Sequence, residues 1–173
     1  MTTAIDIATV ILQTDASRAP VRLEYVRRRM KWEASPASRH QLTAKAIEAS
    51  LRPVAGAYSG CACFSLQDVL IRFPDPDGSL KRPDIAIFCE RPPESDEALS
   101  ILPAAVIEIL SVGYEEKDLG EDGAPFYLLY GVPDVVVVDP RSGVVRHYTA
   151  TQSIQLHESP VTLDLQCGCR VTV

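Results

Sequence analysis

No run of about 18 uninterrupted apolar residues occurs anywhere in the sequence, so nothing in it predicts a membrane-spanning helix. The basic-then-apolar layout of a secretory leader is also missing from the first residues, which predicts a cytoplasmic protein. There is no glycine-rich phosphate loop, which argues against nucleotide hydrolysis of the P-loop kind. No Gly-x-Ser-x-Gly frame surrounds Ser111, which removes it as a candidate nucleophile. Internal repeats and low-complexity tracts are absent. Positive charge is in short supply: a formal net charge of -6 excludes a protein that grips nucleic acid through its whole surface. The shortage is uneven, because residues 18–52 hold nine Lys and Arg against three Glu. That stretch forms either one basic face opposite an acidic site or an ordinary solvated surface. Cysteine is scarce, and five is an odd number that cannot pair completely within one chain. Cys61/Cys63 and Cys167/Cys169 are C-x-C pairs, each able to face one side of a strand as core filling or as two ligands of a soft metal. Zinc sites favour wider spacings and free cysteine is among the most buried residue types, so buried reduced thiols are expected.

What is present fits one soluble domain: 173 residues, 46% hydrophobic and 23% charged. Residues 1–20, with Ile5, Ile7, Val10 and Ile11, read as an N-terminal arm, either a short helix or extended, and residues 21–173 as a single domain. Val21, Leu23 and Tyr25, then Met30 and Trp32 across Arg27-Arg28-Arg29, predict a hairpin. The run from Ser35 to His40 offers turn and capping chemistry to a helix over residues 40–54, with Leu42, Ala46, Ile47 and Leu51 at helical spacing. Residues 57–64 are strand-like, and Val69, Ile71 and Phe73 alternate before the turn Pro74-Asp75-Pro76-Asp77-Gly78. Glycine-bounded residues 113–123 predict a loop, and residues 124–130 a short helix that tolerates Pro125 in its first turn. The β-branched run 134–138 predicts a central strand buried on both faces, and a meander of strands follows to the end. The class is α/β (α+β), with few helices and many strands.

Two apolar runs each carry one acid: Lys81-Arg82-Pro83-Asp84-Ile85-Ala86-Ile87-Phe88-Cys89 and Ala104-Ala105-Val106-Ile107-Glu108-Ile109-Leu110-Ser111. An ionised carboxylate is hardly ever buried alone, so both acids call for a cationic partner. If the strands are neighbours and the acids share an open cleft, Asp84 and Glu108 can converge on a divalent ion, with Lys117 close behind. Asp84 also reads as a simple turn residue, and Lys117 as a surface charge. His40, near a helix start, is a further candidate for touching phosphate or a metal's waters, beside a plain packing role.

The order of these signals resembles the Uma2 family, a group regarded as restriction-type endonucleases of the PD-(D/E)XK fold. The resemblance rests on Arg82-Pro83-Asp84 opening a strand, Val106-Ile107-Glu108-Ile109-Leu110-Ser111, Tyr127 ahead of Gly131-Val132-Pro133, and Val135 to Val138 with Asp139-Pro140. Pro36-Ala37-Ser38-Arg39-His40-Gln41 adds an upstream match. It covers residues 21–150. The resemblance implies a restriction-endonuclease-like central mixed sheet flanked by helices. It further implies a site of Asp84 and Glu108 holding Mg2+ or Mn2+, and hydrolysis of phosphodiester bonds in nucleic acid, DNA before RNA, by a homodimer. One departure stands out: the nuclease motif's lysine should follow two residues after the glutamate, where this chain has Leu110, and Lys117 is the substitute. The alternative expectation is a non-catalytic binding or regulatory module that keeps the fold.

Overall fold

The structure is a computed structural model and describes residues 6–56 and 60–173; the expectations for Ile5 and for residues 57–59 fall outside these. Of the two readings for the first residues, a helix is found: α1, Ile7–Ala16, starts where the Asp6 carboxylate accepts from the Ala8 and Thr9 amides. It buries Ala8 and Ile11 against Leu70 and Leu80. The hairpin follows as β1 (Val21–Val26) and β2 (Arg29–Ala34), paired antiparallel. Its two-residue turn places both Arg27 and Arg28 at positive φ, 47° and 65°, the twist a tight hairpin demands even without glycine.

Helix α2 spans Ser38–Ser50, not residues 40–54, and no side chain caps its start. Its inward face is His40, Ala44 and Ile47, while Leu42 is 68% exposed. Beyond it lie β3 (Arg52–Pro53), β4 (Phe64–Gln67), β5 (Ile71–Arg72), β6 (Leu80–Lys81) and β7 (Ile85–Phe88). The apolar run 81–89 is therefore divided between β6 and β7 at Pro83, which cannot donate to a ladder. The chain continues through β8 (Ala105–Ile109), α3 (Glu115–Leu119), α4 (Ala124–Leu129), β9 (Asp134–Val138), β10 (Val144–Thr149), β11 (Gln152–Glu158), β12 (Thr162–Asp164) and β13 (Cys169–Thr172). Where a loop is predicted for residues 113–123, the five-residue α3 lies between Gly113 and Gly120.

The main sheet has the order β11-β10-β9-β8-β7-β4, with β8 and β9 parallel and the other neighbours antiparallel. A second sheet runs β2-β1-β6-β5 and a third β12-β13-β3. All five residues of β9 are buried, as a strand in the sheet centre requires. Alternation along the strands gives the main sheet two apolar faces. Ile85, Ile87, Ile107 and Val136 pack on α2 and the third sheet. Ala86, Val106, Val135 and Val137 pack on Phe126 and Tyr127 of α4.

The expectation of reduced thiols is corrected: disulfides join Cys61 to Cys89 and Cys63 to Cys169, and Cys167 is the free thiol. Cys61 and Cys63 lie in the loop before β4 and not on a strand, so alternation does not decide which way they face.

Candidate active site

Asp84 sits one residue ahead of β7. The register Ile85↔Ile107 between β7 and β8, carried one step further, sets Asp84 across from Glu108. The two acids hold each other through the backbone. The Asp84 amide donates to Glu108 Oε2 at 3.0 Å, and the Ile109 amide donates to Asp84 Oδ2 at 2.7 Å. Glu108 projects toward α4, where the Tyr127 hydroxyl donates to Oε1 at 2.7 Å.

Cations from the second sheet and from α3 converge on this pair. Arg22 of β1 bonds Asp84 Oδ1 at 3.1 Å, Asp68 Oδ1 at 3.0 Å, and Glu33 of β2. Lys117 Nζ lies 2.7 Å from Asp118 Oδ1 and 3.7 Å from Glu33 Oε2. His40 Nε2 is 3.0 Å from Asp84 Oδ2. Beneath them, the fully buried Lys81 donates to the Asp122 carbonyl at 2.8 Å, approaches Glu24 Oε2 at 3.4 Å, and lies over the Tyr127 ring.

These surroundings drive the two central carboxylates apart. Burial raises the Asp84 carboxyl, but His40, Lys117 and Arg22 outweigh it and hold the group at about 2. Burial also raises Glu108, and there Lys117 does not compensate, with Asp118 and Asp84 adding repulsion, so it stands well above the usual carboxylate range. Asp118 is pushed up to about 6, mainly by burial. Burial would depress the Lys117 ammonium, but Asp118, Glu24, Glu108 and Glu33 reverse that and raise it well above its ordinary value. Lys117 is thus held as a cation inside the cluster.

An open cleft of about 540 Å³ is lined by Arg22, His40, Lys45, Glu48, Asp68 and Asp84. A second, more apolar cavity of about 350 Å³ is lined in part by His40, Leu110, Tyr114 and Arg141, so His40 borders both. The expectation that both acids face the cleft is met only by Asp84. Glu108 is wholly buried behind it, because Tyr127 and the Asp84 backbone close over its oxygens. Each carboxylate oxygen has room for two bonds. Among the described residues both Glu108 oxygens and Asp84 Oδ1 accept one bond each, and of these Asp84 Oδ1 is the oxygen whose side chain lines the cleft.

Residues 11–170, nearly the whole chain, match the model of Uma2, described as a putative restriction endonuclease. The chain belongs to the Uma2 family. No curated protein matches it. Among solved structures it is similar to a putative nuclease of the DUF820 group from Anabaena variabilis, with a TM-score of 0.60 and 18% identity over 88% of this chain and 87% of the other. That likeness concerns the fold.

In this Uma2 chain the structure brings together Asp84, Glu108, Lys117 and His40. Arg22, Glu33, Lys81 and Asp118 belong to the same cluster and carry no local sequence signal. Arg22 and Glu33 sit in a strand pattern that reads as solvated, Lys81 opens a run where it resembles a flanking charge, and Asp118 lies in a polar stretch. The basic segment 18–52 is in good part consumed by internal pairing: Arg22 bonds Asp84, and Arg27, Arg29 and Lys31 all bond Asp122.

Proposed function

We propose that this protein is a metal-dependent nuclease in which Asp84 and Glu108 hold Mg2+ or Mn2+ and Lys117 serves as the lysine of the site. The observation that carries this reading is the cross-strand pairing of the two carboxylates, one of them on the open cleft, with the buried cation Lys117 in the same cluster. The donor set suits a hard dication, which prefers oxygen ligands and retains several waters. When bound, such an ion polarises a phosphoryl oxygen and lowers the pKa of a coordinated water.

The chain's own groups then have distinct duties. Tyr127 fixes the Glu108 carboxylate, and the Ile109 amide fixes that of Asp84. Lys117 supplies a fixed positive charge toward developing negative charge on phosphate. Arg22 bonds Asp84 Oδ1 on the wall of the cleft and would yield that oxygen to a bound ion, and His40 on the rim would meet the phosphate. The substrate class is nucleic acid, with DNA ahead of RNA, and a pair of copies would present one site to each strand of a duplex.

Incubation of the full chain with DNA and Mn2+, beside Asp84→Ala and Glu108→Gln, tests this reading. Cleavage by the wild type and loss of at least about 100-fold in both variants is expected, with circular dichroism confirming that each is folded. Cleavage retained in either folded variant removes the assignment. The sealing of Glu108 favours one other reading, a regulatory module that binds nucleic acid without cutting it. Metal-independent DNA binding with no cleavage would establish that alternative.

A further inference from the structure

All five cysteines of the chain meet in one place, although they come from three distant stretches: Cys61 and Cys63 before β4, Cys89 just past β7, and Cys167 and Cys169 at the start of β13. The sulfurs of Cys61, Cys63 and Cys169 lie within 4.8 Å of one another, as do those of Cys61, Cys89 and Cys167, so Cys61 is common to both groups. Across the two disulfides, the sulfurs of Cys169 and Cys61 are 3.5 Å apart. A tetrahedral zinc thiolate, with bonds of about 2.3 Å, spaces its sulfurs roughly 3.8 Å apart, within reach of each group of three, whereas no four sulfurs lie together within 4.8 Å among the described residues. The backbone bends so that both members of each pair turn inward. Cys63 adopts a φ of 51°, uncommon outside glycine, and Gly168 at 86° turns the chain between Cys167 and Cys169. Around the cluster lie Ala44, Ile47, Leu165 and Val171, so the donors are sulfur alone in an apolar setting.

We propose that this cluster, once reduced, is a Zn2+ site in which the buried thiolates of Cys61, Cys63 and Cys169 hold one ion and a thiolate of the second group, Cys89 or Cys167, closes in as the fourth ligand once the disulfides open, the two disulfides being the oxidised form of the same site. Each disulfide takes two electrons and two protons from a dithiol reductant, which leaves as its own disulfide. The ion then displaces one proton to solvent from each thiol that ligates it. Soft thiolate donors select zinc over the hard cations suited to Asp84 and Glu108, so the two sites sort their metals by ligand type.

The test uses the full chain, reduced with a dithiol that is then removed without air, and titrated with Co2+ followed by Zn2+. The expected result is one Co2+ per chain with a sulfur-to-cobalt charge-transfer band, abolished by one equivalent of Zn2+. Cys61→Ser should weaken Zn2+ binding by more than about 100-fold, exceeding the loss typical of an outer-shell partner. The band should persist in Glu108→Gln, which separates this site from an oxygen-ligated one. Absence of the charge-transfer band in the reduced wild type overturns the proposal whatever the variants do, and so does unchanged uptake by Cys61→Ser.

Discussion

Tyr127 shows how tightly the candidate site is specified at the level of single groups. Its hydroxyl is the one side-chain donor to Glu108 among the described residues, and both residues are fully buried. Tyr127→Phe keeps the ring packed against Phe73 and Phe126 but leaves Glu108 Oε1 without that donor. A loss of about 1–3 kcal/mol in denaturant unfolding is expected, the usual cost of an unsatisfied buried acceptor. A change within experimental scatter would mean that Glu108 finds water or another donor. Asp118 gives a pH signature. Its carboxyl ordinarily titrates near 3.8 and is held at about 6, chiefly by burial, so the folded state favours the protonated form. Its contribution to stability is therefore complete below 3.8, declines as pH rises to about 6, and is flat above. The unfolding free energy of the wild type minus that of Asp118→Asn should fall across that window. A difference that rises instead, or stays level, contradicts the placement of Asp118.

Among the elements, the short α3 determines where Lys117 and Asp118 go, and Gly123 keeps α3 in place. A Cβ on Gly123 would stand 2.1 Å from the Asp118 carbonyl oxygen, a backbone atom that cannot rotate away. Gly123→Ala should therefore destabilise the fold by about 2 kcal/mol or more and flatten the pH window of Asp118, both readable from unfolding curves at several pH values. An unperturbed melting temperature would show that α3 and α4 do not approach so closely. The same element marks the limit of what sequence discloses. The strand of Glu108 is legible because four apolar neighbours surround one acid, and the central strand over Val135 to Val138 because β-branched residues run without a break. Asp84 is legible as a strand opener, though its run serves two sheets. In α3, by contrast, five residues cannot display a helical period and four of them are charged, so a buried Lys117 and Asp118 look like solvated loop. Arg22 reaches Asp84 across 62 positions, and no local pattern encodes that contact. The cysteine cluster is hidden for the same reason, since its convergence depends on how three separate segments fold together.

For the molecule as a whole, the distribution of charge constrains how it can meet a polyanion. The net charge is -6, and the basic segment spends Arg22, Arg27, Arg29 and Lys31 on internal acids. Among the described residues of that segment, Lys45 on the open cleft, Arg39 on the neighbouring cavity, and Arg18 and Arg52, which line neither, carry no ion pair, so Lys45 and Arg39 are the two unpaired cations at the site. Arg39 and Lys45 flank His40 along α2, whose His40 meets Asp84. Glu48 and Asp68 line the same cleft and oppose any broader contact. If nucleic acid is engaged here, only about two phosphates should be neutralised, giving a slope of roughly -2 in log affinity against log salt. Fluorescence anisotropy of a labelled duplex with Glu108→Gln, over a series of salt concentrations, measures that slope without cleavage. Lys45→Ala and Arg39→Ala should each reduce its magnitude by about 0.9. A slope steeper than about -5 would require a basic surface that this charge map does not contain, and would place the nucleic acid elsewhere than along α2.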